Sequence, residues 1–409
     1  MNQTSSHPAH LRIADFTYEL PEEKIAKYPL PERDSSKLLV YQKGTLQEDQ
    51  FKNIVKYIPE GSLLVFNSSK VIKARLHFVS SGKKTIEVFC LEPWGDLDPA
   101  EALKGQTPQQ WKCLVGNLKA WKEGELSLSK NGLELKARII EKYPGHVLIE
   151  FTWSPADKTF SEVLNVFGEV PIPPYLDRNS EAGDDATYQT LYANREGSVA
   201  APTAGLHFTE EVTKALKQKK VAMHYLHLHV GAGTFKPVKS ETLQGHDMHS
   251  EWLEADKTLL ETLANSEEKN RFAVGTTSLR TLESLYWMGV KVRVNPLIEL
   301  EELEMKQWEV YALTDKACSL KESLSALMDW MEKRNMDRIL CKTGILIAPP
   351  YQIKVVQGLI TNFHQPQSTL LLLVAAAMGE DWKKAYTYAL SNNFRFLSYG
   401  DAMLIRMTS

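Results

Sequence analysis

The chain has 409 residues, enough to bury a large core and to form two or three domains. Hydrophobic residues make up 43%, charged residues 24%, and the formal net charge is −3; this excludes a protein that coats nucleic acid by bulk charge, so an RNA partner has to meet a local basic patch. Cys90, Cys113, Cys318 and Cys341 are scattered with no CxxC pair, which argues against a zinc ribbon or disulfide framework and fits a reducing cytoplasm.

The N-terminal "MNQTSSHPAH" lacks the apolar core of a signal peptide. The longest apolar run, Leu370 to Met378, is nine residues, against roughly 20 needed to span a bilayer. The expectation is a cytoplasmic protein with no membrane partner. The oligomeric state is left open.

In chain order, "SLLVFN" reads as a strand. From 76 to 153, "TIEVFC", "WKCLVG", "LELKARII" and "HVLIEFTW" are short strand-like runs between "SSGKK", "KEGE", "KNG" and "YPG" turns. Only "DPAEALKG" interrupts them with a helical pattern, and such spacing suggests a small β-barrel or sandwich. In "GSVAAPTAGLHFTEE", Val199 to Ala201 are strand-like, Pro202 withholds a donor, and Thr209 reads as an N-cap before Glu210 and Glu211. His207 then sits in a tight turn leading into a helix, with Thr203 nearby. Strands "VAMHYLHLHV", "RFAVG" and "IKVVQGLITNF" alternate with helices "TEEVTKALKQKK", "DKTLLETLANSEEK", "SLRTLESLYW" and "STLLLLVAAAMG", the last capped by Ser368 and closed by Gly379. Residues 301–340 read as a charged, helical excursion. Alternation of this kind predicts an α/β fold: a discontinuous α/β domain, 1–75 and 154–409, with a mixed or largely parallel sheet, and an inserted small β-barrel-like domain, 76–153.

Open α/β sheets take ligands beyond the carboxyl ends of their strands. After three of these strands come "GAGTFKPV", "TTSLR" and "HQPQS", and the last two open helices whose free N–H groups receive anions or base edges. "GAGT" (Gly231, Ala232, Gly233, Thr234) lacks the third glycine of a dinucleotide fingerprint and reads equally as a plain turn, while "VGTTSLR" has no P-loop lysine. His227 and His229 share one strand face. A metal set of His227, His229, His246, His249 and Glu251 matches no zincin spacing, so hydrogen-bonding, acid–base or structural histidines stand against it. Arg33, Lys37, Lys70, Lys73 and Arg75 lie beside strands among serines and suit phosphate contacts or an ordinary charged surface. "KALKQKK" reads as a solvated helix end.

The stretches "YELPEEKIAKYPLPERDSSKLLV", "LLVFNSSKVIKARL", "VPIPPYL", "YQTLYA", "GSVAAPTAGLHFT", "LHVGAGTFKPV", "HDMHSEW", "VGTTSLRTLES", "GLITNFHQPQSTLLLL" and "FRFLSYGDAMLI" run in one order along the chain. In them the chain resembles the S-adenosylmethionine:tRNA ribosyltransferase-isomerase family of queuosine biosynthesis. The resemblance covers most of the α/β part and matches the β insertion in type and position. It implies transfer of the ribosyl moiety of S-adenosylmethionine to 7-aminomethyl-7-deazaguanine at the tRNA wobble position. Epoxyqueuosine-tRNA forms, adenine and methionine leave, and no metal or further cofactor takes part. It implies His207, His229, His249, Glu251 and His364 as proton-transfer or orienting groups. Thr203, Gly205, Gly231, Gly233, Thr234, Thr276, Thr277, Arg280 and Asn362 are implied around the substrate, with Arg33, Lys70 and Arg75 toward RNA. Against the family's usual pattern, Ser68 stands for an acid, Lys73 for a proline, Gln357 for an aspartate and Gln367 for a lysine. Those changes keep open a catalytically altered paralogue that binds tRNA or nucleotide; the histidine clusters keep open a metallohydrolase.

Overall fold

The computed structural model describes residues 7–407 apart from 123, 232–237, 239 and 267–269. The chain begins with β1 (Lys37–Gln42), β2 (Thr45–Gln50), β3 (Leu63–Asn67) and β4 (Ser69–Val71). A run of strands follows: β5 (Arg75–Val79), β6 (Thr85–Pro93), β7 (Gln109–Gly116), β8 (Glu125–Lys130), β9 (Leu133–Tyr143) and β10 (His146–Ser154). Helix α1 (Pro99–Lys104) lies between β6 and β7, and α2 (Phe160–Phe167) comes after β10. The return passes through α3 (Asp184–Thr187) and β11 (Arg195–Ser198), then α4 (Glu210–Gln218), β12 (Ala222–Leu228) and β13 (Glu251–Asp256). Next come α5 (Lys257–Ala264), β14 (Arg271–Val274), α6 (Thr276–Val294), α7 (Glu309–Ala312), α8 (Leu320–Glu332) and β15 (Arg338–Thr343). The chain closes with β16 (Gly358–Asn362), α9 (Thr369–Met378), α10 (Asp381–Ser391) and β17 (Ala402–Arg406).

Nine strands form one sheet in the order β15-β13-β12-β3-β14-β16-β17-β1-β2. It is mixed: β12, β3, β14 and β16 run parallel at its centre, and β13, β15, β17 and β2 each pair antiparallel with a neighbour. The central strands are apolar on both faces, as a doubly covered sheet requires. In β3, Leu63 and Val65 join the core beneath α5, α6 and α9, while Leu64 and Phe66 join the opposite layer with Phe208, Val212 and Leu216. Helix α6 is buried nearly all round because α8 packs over it.

The other six strands form an antiparallel sheet, β5-β6-β7-β10-β9-β8, whose edge strands β5 and β8 meet to make a nearly closed barrel. Along β9, Leu133, Leu135 and Ala137 turn inward and Glu134, Lys136 and Arg138 outward. The apolar cluster inside takes in Ile72 and Leu164 as well as the strands. The chain leaves for the barrel through β4 and returns through β11, and these two pair side by side, Arg195 opposite Ser69. A second tie crosses the seam: Arg195 bonds Asp98, the N-cap of α1, at 3.1 Å and also pairs with Glu254 of β13. No helix among the described residues is long and apolar enough to cross a membrane.

Three expected elements differ. Val199 to Ala201, expected as strand, lie beyond β11, which ends at Ser198, and the Ser198 hydroxyl rather than a neighbouring strand donates to the Ala200 carbonyl at 2.8 Å. The strand expected over "IKVVQGLITNF" starts only at Gly358, because the N–H groups of Lys354 and Val355 donate to the buried Glu283 carboxylate rather than to a neighbouring strand. The 301–340 excursion is helical through α7 and α8, but its end is β15, an edge strand of the main sheet paired with β13.

Candidate active site

Where β14 and β16 end, the carboxyl rim of the sheet is hollowed into a cleft walled by Thr203, Thr276, Thr277, Asn362 and His364. Several segments build it, with Tyr175, Val230, Leu397 and Ser398 completing the wall. The 3-10 turn Thr203–His207 brings Thr203 to the wall. Gly275, at φ +92°, takes a backbone angle that turns β14 directly into α6 and sets Thr276 and Thr277 on the cleft. No side chain caps α6, so its first-turn N–H groups remain available at that wall. Asn362 and His364 follow β16, and Ser368 caps α9 by accepting from the Leu371 N–H at 3.2 Å.

Asn362 is the hub. Its Oδ1 accepts from Thr203 Oγ1 at 3.0 Å, and its Nδ2 donates to His207 Nε2 at 3.1 Å. That leaves the proton of His207 on Nδ1, facing Ser36 Oγ at 2.8 Å. Phe51 stacks on the imidazole at 5.0 Å, and burial lowers its pKa to about 4. His207 thus stands behind the cleft wall with both nitrogens engaged. His364 lines the cleft itself. Its Nε2 lies 2.8 Å from Thr361 Oγ1, its backbone N–H donates to Tyr386 OH, and Tyr18 OH donates to its backbone carbonyl. Burial lowers its pKa to about 3, so the ring is neutral at pH 7.

Beside the cleft, in α6, the buried Arg280 pairs with Glu251 at 2.7 Å. Glu251 Oε1 accepts the Gly231 N–H at 2.9 Å. Nε and Nη2 of Arg280 are buried with no hydrogen-bond partner among the described residues, and a buried guanidinium half satisfied in this way is suited to an incoming anion. Gly233 and Thr234 lie outside the described residues.

The remaining candidates are dispersed. His229 sits in the seam with the barrel, 3.4 Å from Asp98, its pKa lowered to about 4 by burial against the opposing pull of Asp98. His249 is exposed ahead of β13. Gly205 does not open backbone to a ligand: a Cβ there would strike the Tyr192 hydroxyl and come within 2.9 Å of Thr190, so its smallness serves packing. The three basic residues expected to meet RNA all have internal partners. Arg33 donates to the carbonyls of Ala186 and Gln189, Lys70 pairs with Glu196 at 3.0 Å, and Arg75 lies 3.7 Å from Glu87. No set of three His, Cys, Asp or Glu side chains able to hold a metal occurs among the described residues.

Sequence reasoning missed Ser36 and Thr361, the partners of the two central histidines; both lie inside motif stretches, but only the folded chain reveals the contacts. Of the departures from the family pattern, Gln365, where the family's segment has leucine, lines the cleft, and the four named above do not. Gln357 accepts from the Arg271 N–H at the far end of β16, Lys73 pairs with Asp185, Ser68 Oγ faces His227, and the Gln367 N–H donates to the Phe16 carbonyl.

A mixed α/β sheet with a cleft cut into its carboxyl rim, apolar over most of its lining with a few polar groups set in it, has the architecture in which small ligands bind beyond the strand ends. The sequence model of the queuosine biosynthesis protein family matches residues 13–405, and the chain belongs to that family. It is 39% identical over 402 residues to an S-adenosylmethionine:tRNA ribosyltransferase-isomerase of Halothermothrix orenii, covering 97% of this chain and 100% of the relative. A protein of the same name from a Sulfurihydrogenibium species is 36% identical over 403 residues, with 97% and 100% covered. A crystal structure of an S-adenosylmethionine tRNA ribosyltransferase from Thermotoga maritima is 28% identical, with 96% and 99% covered and a TM-score of 0.45.

Proposed function

We propose that this chain is an S-adenosylmethionine:tRNA ribosyltransferase-isomerase, acting on tRNA that carries 7-aminomethyl-7-deazaguanine at the wobble position. Full-length likeness to curated proteins of that name supports the reading. The observation that carries the chemistry is His364, a buried imidazole on the wall of a cleft that also holds the uncapped start of α6.

The sulfonium of S-adenosylmethionine acidifies its adjacent ribosyl carbon, and an imidazole on the cleft wall is placed to meet the proton released there. The aminomethyl nitrogen attacks the ribosyl skeleton in its uncharged form, and adenine and methionine depart. In this reading His364 handles a proton, while Thr203, Asn362, Thr276 and Thr277 hold ribose hydroxyls or adenine edges. Arg280, oriented by Glu251, receives the methionyl carboxylate. His207 fixes the rotamer of Asn362 and so acts as a positioning residue.

The test is incubation with S-adenosylmethionine and tRNA bearing that base, following adenine release and the mass of the modified nucleoside. Adenine release that requires the base, together with the mass of the epoxycyclopentane adduct, is expected. Absence of release overturns the reading, as does release indifferent to that base. His364→Gln is expected to slow release about 100-fold, within the usual range for losing a general base.

A further inference from the structure

We propose that the groove between α4 and β12 is a docking site for an unpaired nucleotide of the RNA substrate, one that flanks the reacting base. This rests on the tRNA reading above and deepens it. Arg33, Lys70 and Arg75 are each tied to internal partners, and the chain's net charge is −3, so a polyanion has to find its cations elsewhere.

The groove supplies them. Lys214 and Lys217 line it from α4; both are exposed, and neither has a carboxylate within 4 Å among the described residues. Glu210 is the one acid on the same wall. Opposite the lysines, Phe66, Tyr192 and Tyr225 form a triangle of rings with centroids 4.9, 5.5 and 5.7 Å apart. Tyr225 stays 40% exposed, and Leu191 beside it 56%. Open aromatic and aliphatic surface beside unpaired ammonium groups is the combination that holds single-stranded nucleic acid: a base stacks on the ring and its phosphates meet the lysines.

Position supports the same occupant. The Tyr192 hydroxyl packs against Gly205, in the turn whose Thr203 lines the cleft. Groove and cleft therefore approach each other at this turn.

The experiment measures the anisotropy of fluorescent tRNA carrying the deazaguanine base, titrated with the full-length protein over a range of salt. Lys214→Ala/Lys217→Ala lies on an exposed helix face, where alanine is well tolerated. It is expected to bind about tenfold more weakly, with the slope of log affinity against log salt shallower by about 1.4, two single-strand contacts at roughly 0.7 each. Tyr225→Leu is expected to weaken binding about fivefold, the lower end for a lost stack, without changing the slope. The KM for S-adenosylmethionine stays unchanged in both. A double variant with wild-type affinity and slope, while the wild type binds and releases adenine, overturns the groove alone. Wild-type protein that binds no such tRNA overturns the functional reading and the groove with it. If the variants instead lose self-association in sedimentation and keep tRNA affinity, the groove is a contact between copies of the chain, and the proposal falls.

Discussion

Inside the barrel, Trp111 and Phe151 each meet Phe160 at 5.3 Å between ring centres, within one continuous apolar cluster. At the carboxyl rim of the large sheet, His207, Thr361, Asn362 and His364 are comparably buried, yet each is hydrogen-bonded to a polar neighbour. Burying polar groups contributes less to stability than burying rings of similar size. What the rim gains is a fixed geometry: each partner dictates the other's rotamer and, for the histidines, which nitrogen carries the proton. The two regions separate what keeps the chain folded from what orients a substrate.

Substitution should pull those contributions apart. The largest effect on stability is expected from Phe151→Ala in the barrel, about 3–5 kcal/mol in urea unfolding, with kcat for adenine release unchanged below the new melting range; a tenfold fall in kcat in folded protein would break the distinction. Asn362→Ala should cost less stability, about 1–3 kcal/mol for an unsatisfied buried partner, and lower kcat about 100-fold. Acid should act through the rim next. His207 and His364 have pKa values near 4 and 3, below the ordinary 6.5, so between those limits the unfolded chain binds protons that the folded one does not. Stability should be complete above pH 6.5 and decline as pH falls toward 4, with a shallower decline in His364→Gln, read from urea midpoints. The smallest change is expected from His249→Ala. Being exposed, it should shift stability by less than about 0.5 kcal/mol and kcat by no more than a few-fold; a 100-fold loss would mean that the segment ahead of β13 moves onto the substrate.

Local chemistry explains what was legible. Ser368 and Gly379 bound α9 as written, because caps act over three or four residues. The alternation of inward and outward side chains that marks β9 is likewise visible in the letters. Contacts across long separations are not. Glu283 draws away the backbone of Lys354 and Val355 from about 70 residues upstream and shortens β16, against every local preference of "IKVV". In the site, Thr276 and Thr277 were readable as rim residues, since the ends of strands locate a rim, whereas Asn362 came only with the family resemblance. That Ser36 holds His207, or that Glu196 holds Lys70, depends on residues more than 100 positions apart, and no periodicity encodes it.

The pairing of β4 with β11 has a consequence for how such a chain changes over time. Both ends of the barrel excursion emerge as neighbours in a small parallel ladder, so the α/β core closes the same short gap whatever lies beyond it. Closure entropy rises only slowly with the length of the looped-out chain. Changes in length far out in the barrel, such as a longer hairpin, therefore leave the two anchoring strands as they are.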